Sequence, residues 1–536
     1  MNRSEEKSIS KAAGIVGLCT LLSRVLGLVR DIVVATLFGS GMAADAFFVA
    51  FRIPNLLRRL FAEGSLTIAF IPVFSEYLAT RSKQEAFDLA RTVLTVLSLI
   101  LVIVTLLGVL GAPWIVRIQA FGFETGGDRY ELTVLLTRIT FPYIFLISIV
   151  AFFMGVLNSL RRFAAPAAAP VFLNIGMIGA AYFISPHCPE PVMGLAIGVL
   201  IGGVLQVVVQ IPWLLKEGLR IFPRWDPSHP ALRRIGLLML PAIFGAAVYQ
   251  LNQFVGTLLA SFLPEGSISW LYYADRLVQF PLGVFAITVS TVALPSLSTQ
   301  AAKKEEAGFA RTLSHSLRLV FFVTIPSMAG LIILREPIVM VLFERGAFDS
   351  VSTAMTSAAL FYYVLGLWAF SGIRVLVSAF YAVQDTKTPV RVAVVALVAN
   401  AAFSLLLMGP MRHAGLALSL SLASTLQFCV LVVMLRRKIR NFRLRGLVAA
   451  ACRCTAAALL MAVGLRALLM TVLPIPAGGS LAVKVGCLML LVAVGFVLFV
   501  AAAKILRCEE LASLKDIAEP FFRRFGFKRG NRGSPR

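Results

Sequence analysis

In the segment SRVLGLVRD, Arg24, Gly27 and Asp31 recur at helical spacing and Arg30 sits beside Asp31, so two arginines and a carboxylate share one region of a long apolar run. A charge at the centre of a lone membrane helix costs about 3 kcal/mol on insertion scales, so arginines that persist there face a polar cavity or a partner. The next segment, ADAFFVAFRIPNLLRRLFAEG, adds Asp45, Arg52, Arg58, Arg59 and Glu63, and Pro54 and Gly64 interrupt its helix. Far along the chain, YYADRLVQFP supplies Asp275, Arg276 and Pro281. Guanidinium groups gathered where water is scarce suit a phosphate or diphosphate, whose oxygens they bind in a planar two-bond fork, and they repel an organic cation. Arg52 and Arg59 have a second reading, snorkelling to an interface. Asp31, Asp45 and Asp275 have one too: each could pair with an arginine simply so that the charge is tolerated, with Glu63 and Asp275 also placed for gating or ion pairing.

The elements that carry these residues are membrane spans. The chain has 536 residues, 59% hydrophobic and 14% charged, with mean hydropathy +0.88, where ordinary soluble domains carry about 25% charged residues. Apolar runs long enough to cross a ~30 Å hydrocarbon core follow one another along the sequence. Helices are expected at 12–38, 45–79 (interrupted), 89–112, 131–157, 164–185, 191–215, 233–263, 268–298, 313–335, 351–382, 389–409, 413–436, 446–473 and 480–506. This is an all-α polytopic membrane protein of about 14 transmembrane helices. The net charge of +24 could point to nucleic acid, but the Lys and Arg residues sit in short clusters between apolar runs, as cytoplasmic loops require. Nucleic acid is therefore not an expected partner. Placing the N-terminus inside puts Arg161/Arg162, Lys303/Lys304 and Arg436 to Arg445 in cytoplasmic loops, so both termini are expected in the cytoplasm.

The sequence also repeats itself. Pro72, Pro113 and Pro166 recur at a near-constant spacing as Pro295, Pro337 and Pro389, and Ala90-Arg91-Thr92 returns as Ala310-Arg311-Thr312. The expected organisation is an N-lobe at 1–215, a parallel C-lobe at 216–436, two extra helices at 437–507 and a basic cytoplasmic tail at 508–536. Two parallel six-helix lobes are typical of alternating-access carriers that hold substrate between them; a duplicated scaffold with no transport of its own is the other reading. Motifs for nucleotide binding, metalloprotease or serine-hydrolase chemistry are missing from the sequence, so the chain reads as a non-enzyme, with no cofactor, driven by an ion gradient or the membrane potential. The seven cysteines and four histidines form no ligand set. Gln250, Asn252 and Asn400 could offer oxygens to a sodium ion.

At SRVLGLVRD, FGSGMAADAFFVAFRIPNLLRRLFAEG, YYADRL and the closing pair of helices, the sequence resembles the MurJ (MviN) family of lipid II flippases, within a superfamily of two-lobed multidrug, oligosaccharidyl-lipid and polysaccharide exporters. The resemblance implies a bacterial inner-membrane protein of cell-wall synthesis. It implies a cationic central cavity for the diphosphate and sugar-peptide head of the undecaprenyl-linked peptidoglycan precursor, with the last two helices grooved for the lipid tail. Arg24, Arg30, Asp31, Asp45, Arg58 and Arg276 match positions that the family needs for substrate. The implied partners are lipid II and membrane lipid, with cell-wall synthesis and division proteins as further candidates. The chain departs from the pattern at Gln279, where an acidic residue is expected, and it lacks the carboxylate of the family's proposed sodium site in the eleventh helix. A flippase for another undecaprenyl-linked saccharide shares the diphosphate and so the arginines; a cation-drug exporter would want a cavity dominated by carboxylates.

Overall fold

The computed structural model describes residues 3–58, 66–439, 441–442, 444–471 and 479–512, and among them every regular element is a helix. In chain order these are α1 (Arg3–Phe38), α2 (Met42–Leu57), α3 (Thr67–Thr80), α4 (Lys83–Leu110), α5 (Ala112–Gln119), α6 (Asp128–Thr140), α7 (Tyr143–Ser159), α8 (Ala164–Phe183), α9 (Pro191–Val208), α10 (Ile211–Lys216), α11 (Pro230–Ala260), α12 (Ser267–Pro281), α13 (Ile287–Ala302), α14 (Glu306–Phe343), α15 (Ser350–Val364), α16 (Leu367–Ala382), α17 (Lys387–Lys438), α18 (Leu444–Thr471) and α19 (Leu481–Ile505). Glu63, Arg59, Gly64 and the tail beyond 512 lie outside the described residues.

Local sequence explains where many of these begin and break. Ser82 and Glu85 form a capping box at the start of α4: the Ser82 hydroxyl accepts the Glu85 N–H at 3.1 Å and donates to the Glu85 carboxylate at 2.9 Å. Pro191 opens α9, where its missing N–H costs nothing. Pro281 ends α12, and a five-residue π-helical segment, Leu282–Ala286, carries the chain into α13.

Eight helices among the described residues are long and apolar enough to cross a membrane, or nine if the bent pair α15 and α16 forms one span. The expected count of fourteen is not fixed by length and apolarity. α1 carries Arg24, Arg30 and Asp31 within its run, α2 and α3 flank residues 59–65, and the π segment interrupts α12–α13. α17 counts once in that tally but consists of two arms. A straight 52-residue helix would be about 78 Å long, yet Lys438 at its end pairs with Asp385 just before its start, at 2.5 Å. The fold-back occurs at Arg412, which has φ 51° and ψ −133°, just after Pro410. The two arms match the expected helices at 389–409 and 413–436.

The chain packs as two compact units. The first comprises Met1–Tyr273, Phe343–Met355 and Ser404–Leu416; the second comprises Ala274–Leu342, Thr356–Phe403 and Ala417–Arg536. One core of the first unit is aromatic, with Phe70, Phe74, Phe152 and Phe153 buried together, and Phe70 and Phe74 stacked at 5.1 Å. In the second, Phe321, Phe322, Phe380 and Phe442 share a core with Cys454, Met461 and Leu491 of the two last helices. Phe499 of α19 meets Phe322 of α14 at 5.1 Å, so these helices are built into that core. Outward, Leu106, Leu107, Val463 and Phe496 are exposed, as lipid-facing side chains must be.

Candidate functional site

In the first unit, α8 and α9 approach so closely that a Cβ on Gly176 would lie 2.6 Å from Gly202 Cα, and one on Gly198 would lie 2.6 Å from Ala180 Cβ. Small residues at such crossings are how membrane helices gain packing without a hydrophobic driving force. The pair fixes Asn174 of α8, whose amide N–H donates to the carbonyls of Ser23 at 3.2 Å and Pro170 at 3.3 Å. Gly27 of α1 faces that same amide, and a Cβ there would stand 3.9 Å from it. Asn174 is thus clamped between its own helix and α1, with its oxygen turned to Arg30.

Arg30 is 8% exposed and Asp31 2%. Arg30 Nε and Nη2 both donate to Asp31 Oδ1, at 3.1 and 2.7 Å, while Nη1 donates to Asn174 Oδ1 at 3.2 Å. Nη2 also reaches the Tyr272 hydroxyl at 3.4 Å, and that hydroxyl donates to Asp31 Oδ1 at 3.2 Å. The Tyr272 ring lies stacked on Phe48 of α2, 3.9 Å between centroids. The contacts of this desolvated guanidinium include one carboxylate oxygen, two neutral oxygens and, at 3.9 Å, the Met177 sulfur. Such a cation can exchange its neutral acceptors for phosphate oxygens, which bind it about twice as strongly.

A second cluster in the same unit surrounds Asp45, in the first turn of α2 and 0% exposed. Its Oδ2 accepts Arg129 Nη2 at 2.5 Å and the Gly266 N–H at 2.8 Å; its Oδ1 accepts the Ser269 N–H at 2.8 Å and hydroxyl at 2.6 Å. Asp45 therefore caps the start of α12, where orphan N–H groups and the helix dipole favour an anion. Gly266 makes this possible: its φ of +89° belongs to the left-handed region that glycine tolerates. Beside this cap, Trp270 Nε1 donates to Ser40 Oγ at 2.8 Å, Ser40 meets Ser352 at 2.7 Å, and Ser352 donates to Asp349 at 2.6 Å. Because Ser352 gives its proton to the carboxylate, Ser40 must give its own to Ser352, and the chain of donors runs one way. The end of α1, the starts of α2, α12 and α15, and Asp349 just before α15 are joined by these bonds.

The other expected site residues lie elsewhere. Arg24 is exposed on α1, one turn from Gly27. Arg58 closes α2 and its Nε donates to Asn55 Oδ1 at 3.0 Å. Arg52 is partly buried, and its Nη1 donates to the Gln253 carbonyl of α11 at 2.8 Å. In the second unit, Asp275 and Arg276 are partly buried on α12, and Gln279 one turn on donates its amide N–H to Asp275. The residue that departs from the expected pattern is thus a neutral partner for a carboxylate. Of the sodium candidates, Gln250 and Asn252 belong to the first unit and Asn400 to the second. Among the described residues no three His, Cys, Asp or Glu side chains gather as a metal would require.

Sequence reasoning missed Asn174, Tyr272 and Arg129. Tyr272 stood in the quoted YYADRL, and a lone amide in the apolar run around 174 was a signal of the same kind. Nothing in the sequence linked Arg129 to Asp45.

A family model described as "Lipid II flippase MurJ" matches residues 34–476. A "Probable lipid II flippase MurJ" of Vibrio cholerae is 44% identical over 432 residues, covering 79% of this chain and 82% of that protein. A "Lipid II flippase MurJ" of Burkholderia cenocepacia is 39% identical over 423 residues, covering 78% and 82%. Among solved structures, a "Lipid II flippase MurJ, inward closed conformation" superposes with a TM-score of 0.77 at 28% identity, over 91% of this chain and 98% of that one. An inward-facing multidrug MATE transporter gives a TM-score of 0.68 at 16% identity over 80% and 98%, a likeness of fold alone.

Proposed function

The chain belongs to the MurJ family of lipid II flippases, and on that premise we propose that it moves lipid II from the inner to the outer leaflet of the bacterial inner membrane by alternating access. It is a multi-pass membrane transporter, not an enzyme of the pathway it serves. The observation that carries the reading is Arg30: a guanidinium 8% exposed, with two neutral acceptors that a diphosphate can displace. Arg24, Arg58 and Arg276 add positive charge along the route, and Asp31 keeps Arg30 paired while no substrate is present.

With both termini in the cytoplasm, α1 runs outward and the seal around Asp45 closes the outer side. Substrate then reaches Arg30 from the inside, and release requires that seal to part. The repeat lobes, 1–215 and 216–436, supply the moving bodies, while the helices within 437–507 accept the polyprenyl tail. An anionic head leaving an inside-negative cell moves down the membrane potential, worth about 2.3 kcal/mol per charge per 100 mV. Cell-wall synthesis and division proteins are the natural neighbours of such a carrier. The test is depletion in a living cell: lipid II should accumulate on the cytoplasmic leaflet, and unchanged leaflet distribution would overturn the reading.

A further inference from the structure

Ser269, Tyr272 and Tyr273 are spaced i, i+3 and i+4 and so lie on one face of α12. Ser269 meets Asp45 in the seal, and Tyr272 meets Asp31 and Arg30 through its hydroxyl and Phe48 through its ring. Tyr273 donates to the Gly39 carbonyl at 3.3 Å. One helical face therefore touches both the arginine and the seal, about one turn apart. We propose that Tyr272 is the positioning residue through which a diphosphate bound at Arg30 loosens the seal at Asp45.

To take a diphosphate, Arg30 must give up contacts it now makes. Its Nη atoms hold a neutral amide and a neutral hydroxyl, both weaker acceptors than phosphate. When those N–H groups turn to a diphosphate, the Tyr272 hydroxyl loses its donor and Asp31 is no longer held in line for it. The α12 face then keeps the Asp45 cap, the Tyr273 bond to Gly39 and the stacked ring, but loses its link through the Arg30–Asp31 pair. A ligand shifts an equilibrium only by its unequal affinity for two states, and Tyr272 supplies that inequality: its bond to the Arg30–Asp31 pair stands while the seal is closed and competes with a diphosphate for the same N–H groups. This inference rests on the proposed substrate.

The test reads the seal and the substrate separately. Ser267 begins α12, is 0% exposed, and its hydroxyl has no partner, so Ser267→Cys adds a buried thiol at little cost. The full chain with Ser267→Cys, with and without Tyr272→Phe, is placed in nanodiscs so that a polar maleimide reaches both faces, and labelling at position 267 is followed by peptide mass spectrometry. Tyr272→Phe keeps the ring on Phe48 and removes only the hydroxyl. Where Tyr272 is retained, lipid II should speed labelling roughly ten-fold, the effect of about one charged hydrogen bond. With Tyr272→Phe, labelling should already be fast without lipid II and should change less than about two-fold on its addition, while lipid II is still retained. An equal response in both forms, or no response to bound lipid II where Tyr272 is retained, overturns the coupling. Failure of the Tyr272-bearing protein to retain lipid II overturns the proposed function itself.

Discussion

Asp45 and Glu265 exchange helix ends: Asp45, in the first turn of α2, accepts the Gly266 and Ser269 N–H groups that open α12, while Glu265, just before α12, accepts the Met42 N–H that opens α2. Each carboxylate satisfies orphan donors of the other helix and faces the positive end of its dipole. Neither cap can be lost alone without leaving N–H groups of the partner helix unsatisfied. A seal built this way is specific in geometry yet reversible, because water can take over both sets of donors when the ends part.

Asp45 is fully buried, and Arg129, itself lying 4.0 Å over the Phe123 ring, is its charge partner. Both residues come from the N-terminal part of the chain, so Asp45 keeps a counter-ion when α12 leaves. Removing one partner of a buried pair costs about 3 kcal/mol or more. Arg129→Ala should therefore lower the thermal unfolding midpoint clearly, and adding Asp45→Asn should recover part of the loss. Losses that simply add would separate the two residues energetically.

Asp349 ends the donor chain from Trp270 through Ser40 and Ser352, and the Ser352 hydroxyl and N–H hold its carboxyl below the usual aspartate range. A group whose folded pKa is depressed contributes stability above the unfolded value, near 4, and loses it as pH falls through the folded value. Asp349→Asn should thus speed labelling of a thiol at position 267 at pH 7, and the difference from the parent should shrink in acid below about pH 4. A difference independent of pH would show that the charge has no part in the seal.

Arg30 and Arg52 make opposite predictions for lysine. Arg30 spreads its three guanidinium nitrogens over Asp31, Asn174 and Tyr272, a pattern that an ammonium cannot copy. Arg30→Lys should therefore cut lipid II translocation roughly ten-fold. Arg52 donates to the Gln253 carbonyl, a bond that lysine can also make, so Arg52→Lys should transport far better than Arg30→Lys at equal membrane abundance. Equal transport by both variants would remove the planar grip from the mechanism.

The last two helices interlock: a Cβ on Gly464 would meet Leu498 at 2.9 Å, and one on Gly495 would meet Leu465 at 2.9 Å. Gly495→Val should push α19 from α18 and destabilise the protein by about 1–3 kcal/mol, the range for overpacking. Thermal unfolding of the purified variant reads this, and an unchanged midpoint would mean that the crossing has room to spare.

Much of the fold was legible because the bilayer leaves few options: apolar runs must become helices, and the paired arms of α17 could be placed from 389–409 and 413–436 before the fold-back at Arg412 was visible. The arginine site was half legible. Arg30 and Asp31 announced themselves as charges inside an apolar run, whereas Asn174 and Tyr272 are neutral, and 144 and 242 residues from Arg30. Asp45 carried the same signal as Asp31, but its role at the start of α12 depends on Gly266 taking a positive φ and on Arg129 arriving from the first turn of α6. Tertiary pairing of that kind leaves no periodicity behind.

Lipid II should cross only if the seal at the ends of α1, α2 and α12 can open. Ser40 Oγ and Ser352 Oγ lie 2.7 Å apart, so Ser40→Cys combined with Ser352→Cys brings two thiols within reach of a disulfide. The measurement is lipid II translocation across vesicles carrying the purified double variant, oxidised and then reduced. The oxidised protein should bind lipid II without flipping it, and reduction should restore translocation. Translocation at the full rate by the fully oxidised protein would contradict this.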